Sequence, residues 1–150
     1  VIEVHERFDV PSDARTVWAV LSNPEAVVGC VPGACLGERH EDGSYDGSLA
    51  VKFGPVRVTF TAQVWLELDD AAMTGRLTAQ GRDSQGGTRI KPEILFKVAS
   101  GGAGSTVAID GGVDILGRLA GMIEGGASAV VRRMSSEFAG NLAERCARGG

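Results

Sequence analysis

From Gly117 to about Arg148 the chain carries its longest periodic stretch. This stretch constrains the fold more than any other, because most of what precedes it alternates as β-strands do. Leu119, Ile123, Val130, Met134 and Phe138 recur at spacings of four or seven. At the helical 100° per residue they share one face, with Ala127 among them. Gly117, Gly121, Gly125 and Ala129, each four apart, fall on nearly the opposite face, joined by Arg118 and Arg132. The spacing predicts a helix of roughly eight turns with one apolar side and one side that is poor in side chains.

The chain before it must supply something for that apolar side to cover. Ile2, Val4, Phe8 and Val10 alternate with Glu3, His5, Arg7 and Asp9, a half-buried strand in which Glu6 is the exception. Pro11 ends it, Ser12 or Asp13 can cap a short helix carrying Val17, Trp18 and Leu21, and Asn23-Pro24 starts a second. Cys30 to Ala34 reads as a turn returning to a sheet, because Pro32 and Gly33 suit one. Alternation then persists. Tyr45, Leu49, Val51 and Phe53 face one way, Gly54-Pro55 makes a hairpin, and Val56, Val58, Phe60, Ala62, Val64, Leu66 and Leu68 face inward again. Met73, Leu77 and Ala79 follow, then a polar loop over Gly81 to Gly87, then Ile90, Pro92, Ile94, Phe96 and Val98, and finally Val107, Ile109, Val113 and Ile115. The expected class is α+β: a strongly curved antiparallel sheet of about seven strands wrapped around the long C-terminal helix, with two short helices after the first strand closing one end. No internal repeat or linker divides residues 1–150, which are read as one domain.

Composition narrows the function classes. A formal charge of −4, from 15 Lys and Arg against 19 Asp and Glu without a long basic block, argues against nucleic acid as a partner. Cys30, Cys35 and Cys146 form no Cys-x-x-Cys pair and read as reduced, intracellular, small buried residues. No apolar run suits a membrane span and no signal peptide is visible; the start at Val1 suggests that a few residues are missing.

No constellation for catalysis stands out. The only histidines, His5 and His40, fall on an outward row and in a polar stretch. Asp69, Asp70, Asp110 and Asp114 fall in turns or on the outward register, leaving Glu6 and Asp46 as ambiguous acids. The glycines of 81 to 87 lack the Lys and the strand-to-helix setting of a phosphate loop, and no ligand set for a metal is apparent. What remains is apolar. The inward rows Val51, Phe53, Phe60, Val64, Leu77, Ile90, Phe96, Ile109 and Val113, with the helix stripe Leu119, Ile123, Ala127, Val130 and Met134, either fill a core or line a cavity. Few aromatics and many small inward residues favour the cavity, since such side chains underfill a curved sheet of this size. Arg118, Gly121, Gly125 and Arg132 are candidates for meeting a partner on the smooth side of the helix, or for letting its start bend.

Four stretches together resemble a known group: Val17, Trp18 and Leu21; Cys30-Val31-Pro32-Gly33-Ala34; Val51-Lys52-Phe53-Gly54-Pro55; and Gly117-Arg118-Leu119-Ala120. The resemblance is to the carbon monoxide dehydrogenase CoxG family of the START-like, or SRPBCC, helix-grip superfamily. It implies a helix-grip fold with an apolar cavity between sheet and long helix. It also implies a non-catalytic accessory role beside a molybdenum-containing carbon monoxide dehydrogenase or related hydroxylase, at the cytoplasmic face of the cell membrane. Recruitment of that enzyme to the membrane is the role the family implies, with a quinone such as menaquinone, or another isoprenoid or lipid, as the expected cargo. Many members continue into a membrane-binding tail, which is absent from this sequence, either because it was removed or because this member lacks one. Two alternatives stay open: a polyketide cyclase or dehydratase-like enzyme using Tyr45 and Glu6, or a pure protein–protein adaptor.

Overall fold

A computed structural model describes residues 1–149. Seven strands and three helices follow in the order β1 (Ile2–Val10), α1 (Ala14–Leu21), α2 (Pro24–Val28), β2 (Ala34–Arg39), β3 (Tyr45–Phe53), β4 (Val56–Asp69), β5 (Thr74–Asp83), β6 (Thr88–Gly101), β7 (Gly104–Gly117) and α3 (Ala120–Ala147). All strands belong to one antiparallel sheet ordered β1-β7-β6-β5-β4-β3-β2. From β2 to β7 each strand pairs with its chain neighbour, as hairpin connections require. Only β1 breaks the sequence, crossing to lie beside β7 after α1 and α2 carry the chain to the other edge.

The local chemistry explains the short helices. Asp13 caps α1 by accepting the Thr16 N–H at 2.8 Å, and Asn23 caps α2 by accepting from Glu25 and Ala26 with Pro24 in the first turn. Val17, Trp18, Val20 and Leu21 of α1 are buried, and the Trp18 indole N–H donates to Asp70 at 2.9 Å.

Three expectations need correction. The long helix starts at Ala120 rather than Gly117. Gly117 ends β7 opposite Thr88 with φ at +127°, a conformation that excludes helix, and a Cβ there would overlap the Gly87 carbonyl. Gly117 therefore leaves the glycine face. The polar loop is shorter than Gly81 to Gly87: Gly81 pairs across the sheet with Ala62 and Ile90, and only 84–87 turn. Cys35, expected to be buried, is exposed on β2, whereas Cys30 and Cys146 are buried and burial pushes both thiols up.

The core divides into two clusters. One joins α1, Ala26 and Cys30 to Val10, Val98 and Val107 and to the C-terminal half of α3 through Phe138, Leu142 and Cys146. Phe8 meets Phe138 edge-on at 6.0 Å between ring centroids, and the Asn141 side chain donates to the Cys30 carbonyl at 3.0 Å. The other joins Val51, Phe53, Val58 and Phe60 to Ile123 and Val130 of the N-terminal half. The helix is thus held at both ends by different partners.

Candidate functional site

Pairing register sets which residues face the helix. Val64 lies opposite Ala79 and Tyr45, Leu66 opposite Leu77, Leu77 opposite Ile94, Ile94 opposite Gly111, and Val113 opposite Pro92 and Ile2. These residues occupy the same face as buried Val58, Phe60, Val98 and Val107, because every second position shares a side. Val64, Leu66, Leu77, Ile94 and Val113 are nonetheless only half-buried and belong to neither core cluster. They form an apolar floor. The closest approaches of α3 to the sheet are to β1, β3 and β7, so the helix runs over the trough whose floor is β4, β5 and β6.

The candidate residues therefore separate into groups. Val51, Phe53, Phe60, Ile90, Leu119, Ile123, Val130 and Met134 come together in one cluster and close one end of the trough. Phe96 and Ile109 instead join the other cluster, Phe96 packing beside Trp18 at 6.0 Å between centroids. Val64, Leu77 and Val113 line the floor between, completed by Leu66 and Ile94, which strand alternation already turns inward. Ala127 is buried in α3 and borders a groove of about 510 Å³ between α3 and edge strand β1, with Ile2, Glu6, Val131 and Arg132.

The expected partner face behaves differently. Gly121 and Gly125 are exposed, with open space where a Cβ would stand. Arg132 donates to the Ser128 hydroxyl at 3.2 Å, and Arg118 lies outside the helix, donating to the Gln85 side chain at 3.0 Å.

Polar groups on the inner face are few. Glu6 lies opposite Ile109 in β1, half-buried; its carbonyl accepts from the Arg7 guanidinium at 3.0 Å, while its carboxylate has no hydrogen-bond partner among the described residues. Tyr45 faces inward in β3, with the Arg39 guanidinium 5.6 Å from its ring centroid. The two sit near opposite edges of the sheet order. Asp83 closes one end, where burial raises its pKa but the N–H groups of Gln85 and Gly87 outweigh that and leave it lowered.

Both histidines lie away from this face. His5 bonds to Asp110 at 3.0 Å and His40 to Asp46 at 2.8 Å, and each carboxylate raises its imidazole pKa. Among the described residues, no three His, Cys, Asp or Glu side chains converge as a metal site would require, and no helix is long and apolar enough to cross a membrane.

Comparison with known proteins places this geometry. The family model for CoxG of carbon monoxide dehydrogenase matches residues 7–147. No curated protein sequence matches the chain. Among solved structures, a conserved protein from Geobacillus kaustophilus aligns with a TM-score of 0.83 at 15% identity, covering 98% of this chain and 96% of its own. The Zhui aromatase/cyclase from Streptomyces sp. R1128 aligns at 0.67 with 18% identity over 97% and 93%, and a START superfamily protein from Mycobacterium smegmatis at 0.57 with 20% identity over 95% and 97%. At these identities the likeness is one of fold.

Proposed function

The chain belongs to the carbon monoxide dehydrogenase CoxG family and has the START-like helix-grip fold, and we propose that it is an accessory protein that binds an apolar ligand in the trough beneath α3. Its cargo is a menaquinone-like quinone, and it brings a molybdenum-containing carbon monoxide dehydrogenase, or a related hydroxylase, to the membrane. The observation that carries this reading is the apolar floor of Val64, Leu66, Leu77, Ile94 and Val113, left half-buried between two packed clusters.

Such a floor fits a prenyl chain. At about 25 cal/mol per Å², covering a few hundred Å² of apolar surface supplies several kcal/mol with no charged contact. A quinone head needs hydrogen-bond donors, and the Tyr45 hydroxyl is the inner-face donor suited to it. Recruitment of the dehydrogenase is a family inference, and the exposed Gly121, Gly125 and Arg132 face of α3 is the surface proposed for it.

The decisive experiment is mass spectrometry of the protein purified from a quinone-producing host, followed by titration with a soluble menaquinone analogue. Co-purified quinone and saturable binding support the reading; a chain that leaves the host empty and takes up no analogue removes it. The inward Tyr45 and Glu6 favour one second reading, enzymatic turnover as in a cyclase. Conversion of a polyketide substrate by the pure protein, lost on Tyr45→Phe, would establish it.

A further inference from the structure

The end of the sheet where α3 begins has a surface of its own. The β3–β4 hairpin, the turn at 84–87 and the link from β7 into α3 meet there: Lys52 pairs with Arg57, Arg82 with Arg89, and Arg89 with Leu116, while Arg118 is tied to Gln85. Lys52, Arg57, Arg82, Arg89 and Arg118 are all exposed, and none takes part in an ion pair among the described residues. The opposite end carries Glu38, Glu41, Asp42, Glu67, Asp69 and Asp70, also exposed. Exposed Arg15, Arg39 and Lys97 also lie at that opposite end, but the acids there outnumber them, so the chain of net charge −4 carries a local positive surplus at the end where α3 begins.

Exposed apolar side chains gather at the same end. Leu116 is 75% exposed beside Arg89, Val56 is 41% exposed at the hairpin beside Arg57, and Met122 is 37% exposed in the first turn of α3. They protrude from three separate elements. The acids nearby are Asp83, buried at the foot of the 84–87 turn, and the exposed Asp114 and Glu124, which against the five cations leave the balance positive.

We infer that this end of the domain is a docking surface for an anionic lipid bilayer. Basic side chains attract anionic headgroups, while protruding apolar side chains lodge at the boundary with the acyl chains. An acidic protein partner would satisfy the cations but would need a recess for each of Val56, Leu116 and Met122, whereas a bilayer receives all three without matching their spacing. The surface deepens the membrane half of the proposed function and rests on that reading for its purpose. It places one closed end of the trough against the lipid from which an apolar ligand would come.

Vesicle co-sedimentation tests it, using phosphatidylcholine alone or with about 30 mol % phosphatidylglycerol, and no quinone in either. The chain should partition onto the anionic vesicles at least ~10-fold more strongly, and about 0.5 M salt should remove most of the difference. The double variant Arg82→Glu/Arg89→Glu and, separately, Leu116→Asp should each lower partitioning by ~10-fold or more, with melting temperatures near that of the parent because all three positions are exposed. Arg15→Glu, at the other end, should change little. Equal partitioning on both vesicle types, or charge reversal without effect, overturns the inference; retention on a polyglutamate matrix but not on anionic vesicles overturns it in favour of an acidic protein. Quinone binding is measured separately in solution, so failure here leaves the ligand reading standing, and failure there leaves the surface standing.

Discussion

The backbone N–H of Leu119 donates to the Thr88 hydroxyl oxygen at 2.9 Å, tying the start of α3 to the first residue of β6. Leu119 is the N-cap of α3 and supplies no side-chain cap of its own, and Thr88 is fully buried. A strand thus satisfies a donor that a helix usually satisfies locally. The Arg118 N–H reinforces the clip by donating to the Gly87 carbonyl at 3.0 Å.

Replacing Thr88 with Val keeps the shape but leaves the Leu119 N–H without its acceptor. An unsatisfied buried donor costs about 1–3 kcal/mol, so Thr88→Val should lower the stability measured by urea denaturation by that amount. Unchanged stability would mean that water replaces the hydroxyl and that the clip is not structural.

Gly75 tests the packing at the other end. A Cβ at this position would overlap the Phe96 ring, which itself packs beside Trp18 of α1. Gly75→Ala should therefore push Phe96 off its rotamer and cost about 1–3 kcal/mol, as overpacked sites do. The near-ultraviolet circular dichroism of Trp18 should change with it. An alanine tolerated with both signals intact would show that Phe96 has room to move.

Acid sensitivity follows from Asp83. Its native pKa is lowered from 3.8, because N–H groups of the following turn favour the carboxylate despite its burial. The stabilisation is therefore fully present above the unfolded value and lost as pH falls through the lowered native value. Urea midpoints measured between about pH 5 and pH 2 should fall, and Asp83→Asn, which keeps an acceptor but cannot ionise, should make the fall shallower. Asp13, Asp42 and Asp110 are lowered in the same direction, so part of the slope will persist. An acid limb identical in the variant would remove Asp83 from the account.

Leu77→Trp tests the floor itself. The larger side chain would occupy space beneath α3 without touching the clip at Thr88 or the surface around Arg89. Co-purified quinone and binding of a menaquinone analogue should fall by at least ~10-fold, while overpacking costs no more than about 1–3 kcal/mol. Full binding in this variant would place the ligand elsewhere. Intact transfer of electrons from the dehydrogenase to quinone, with the floor blocked, would favour the adaptor.

Much of this architecture was legible in residue order. Alternation at Val51 and Phe53, at Val58 to Leu66 and at Ile90 to Val98 marked the inward faces, and the four-residue spacing from Leu119 to Phe138 marked α3. The bounds of β1 and the cap at Asp13 also follow from local chemistry. Gly117 misled because its spacing continues the glycine series, while its positive φ and its closeness to the Gly87 carbonyl across the sheet are tertiary features that spacing does not carry. Glu6 was ambiguous for a related reason: a single polar residue in an alternating strand does not break the register, and β1 carries it inward opposite Ile109.

The site divides along the same line. Sequence alone determined which side chains face inward, because the two-residue and 3.6-residue periods assign a side without knowledge of the partner. It also determined that those faces are almost free of ionisable groups. Only the tertiary structure decided that Phe96 and Ile109 pack with α1 while Phe53 and Phe60 pack with Ile123, and that Val64, Leu66, Leu77, Ile94 and Val113 are left between. The reason is that periodicity gives direction but not distance. The placement of α3 over β4, β5 and β6 rests on long-range contacts, the two core clusters at its ends together with the Thr88–Leu119 and Asn141–Cys30 hydrogen bonds, between residues that lie far apart along the chain.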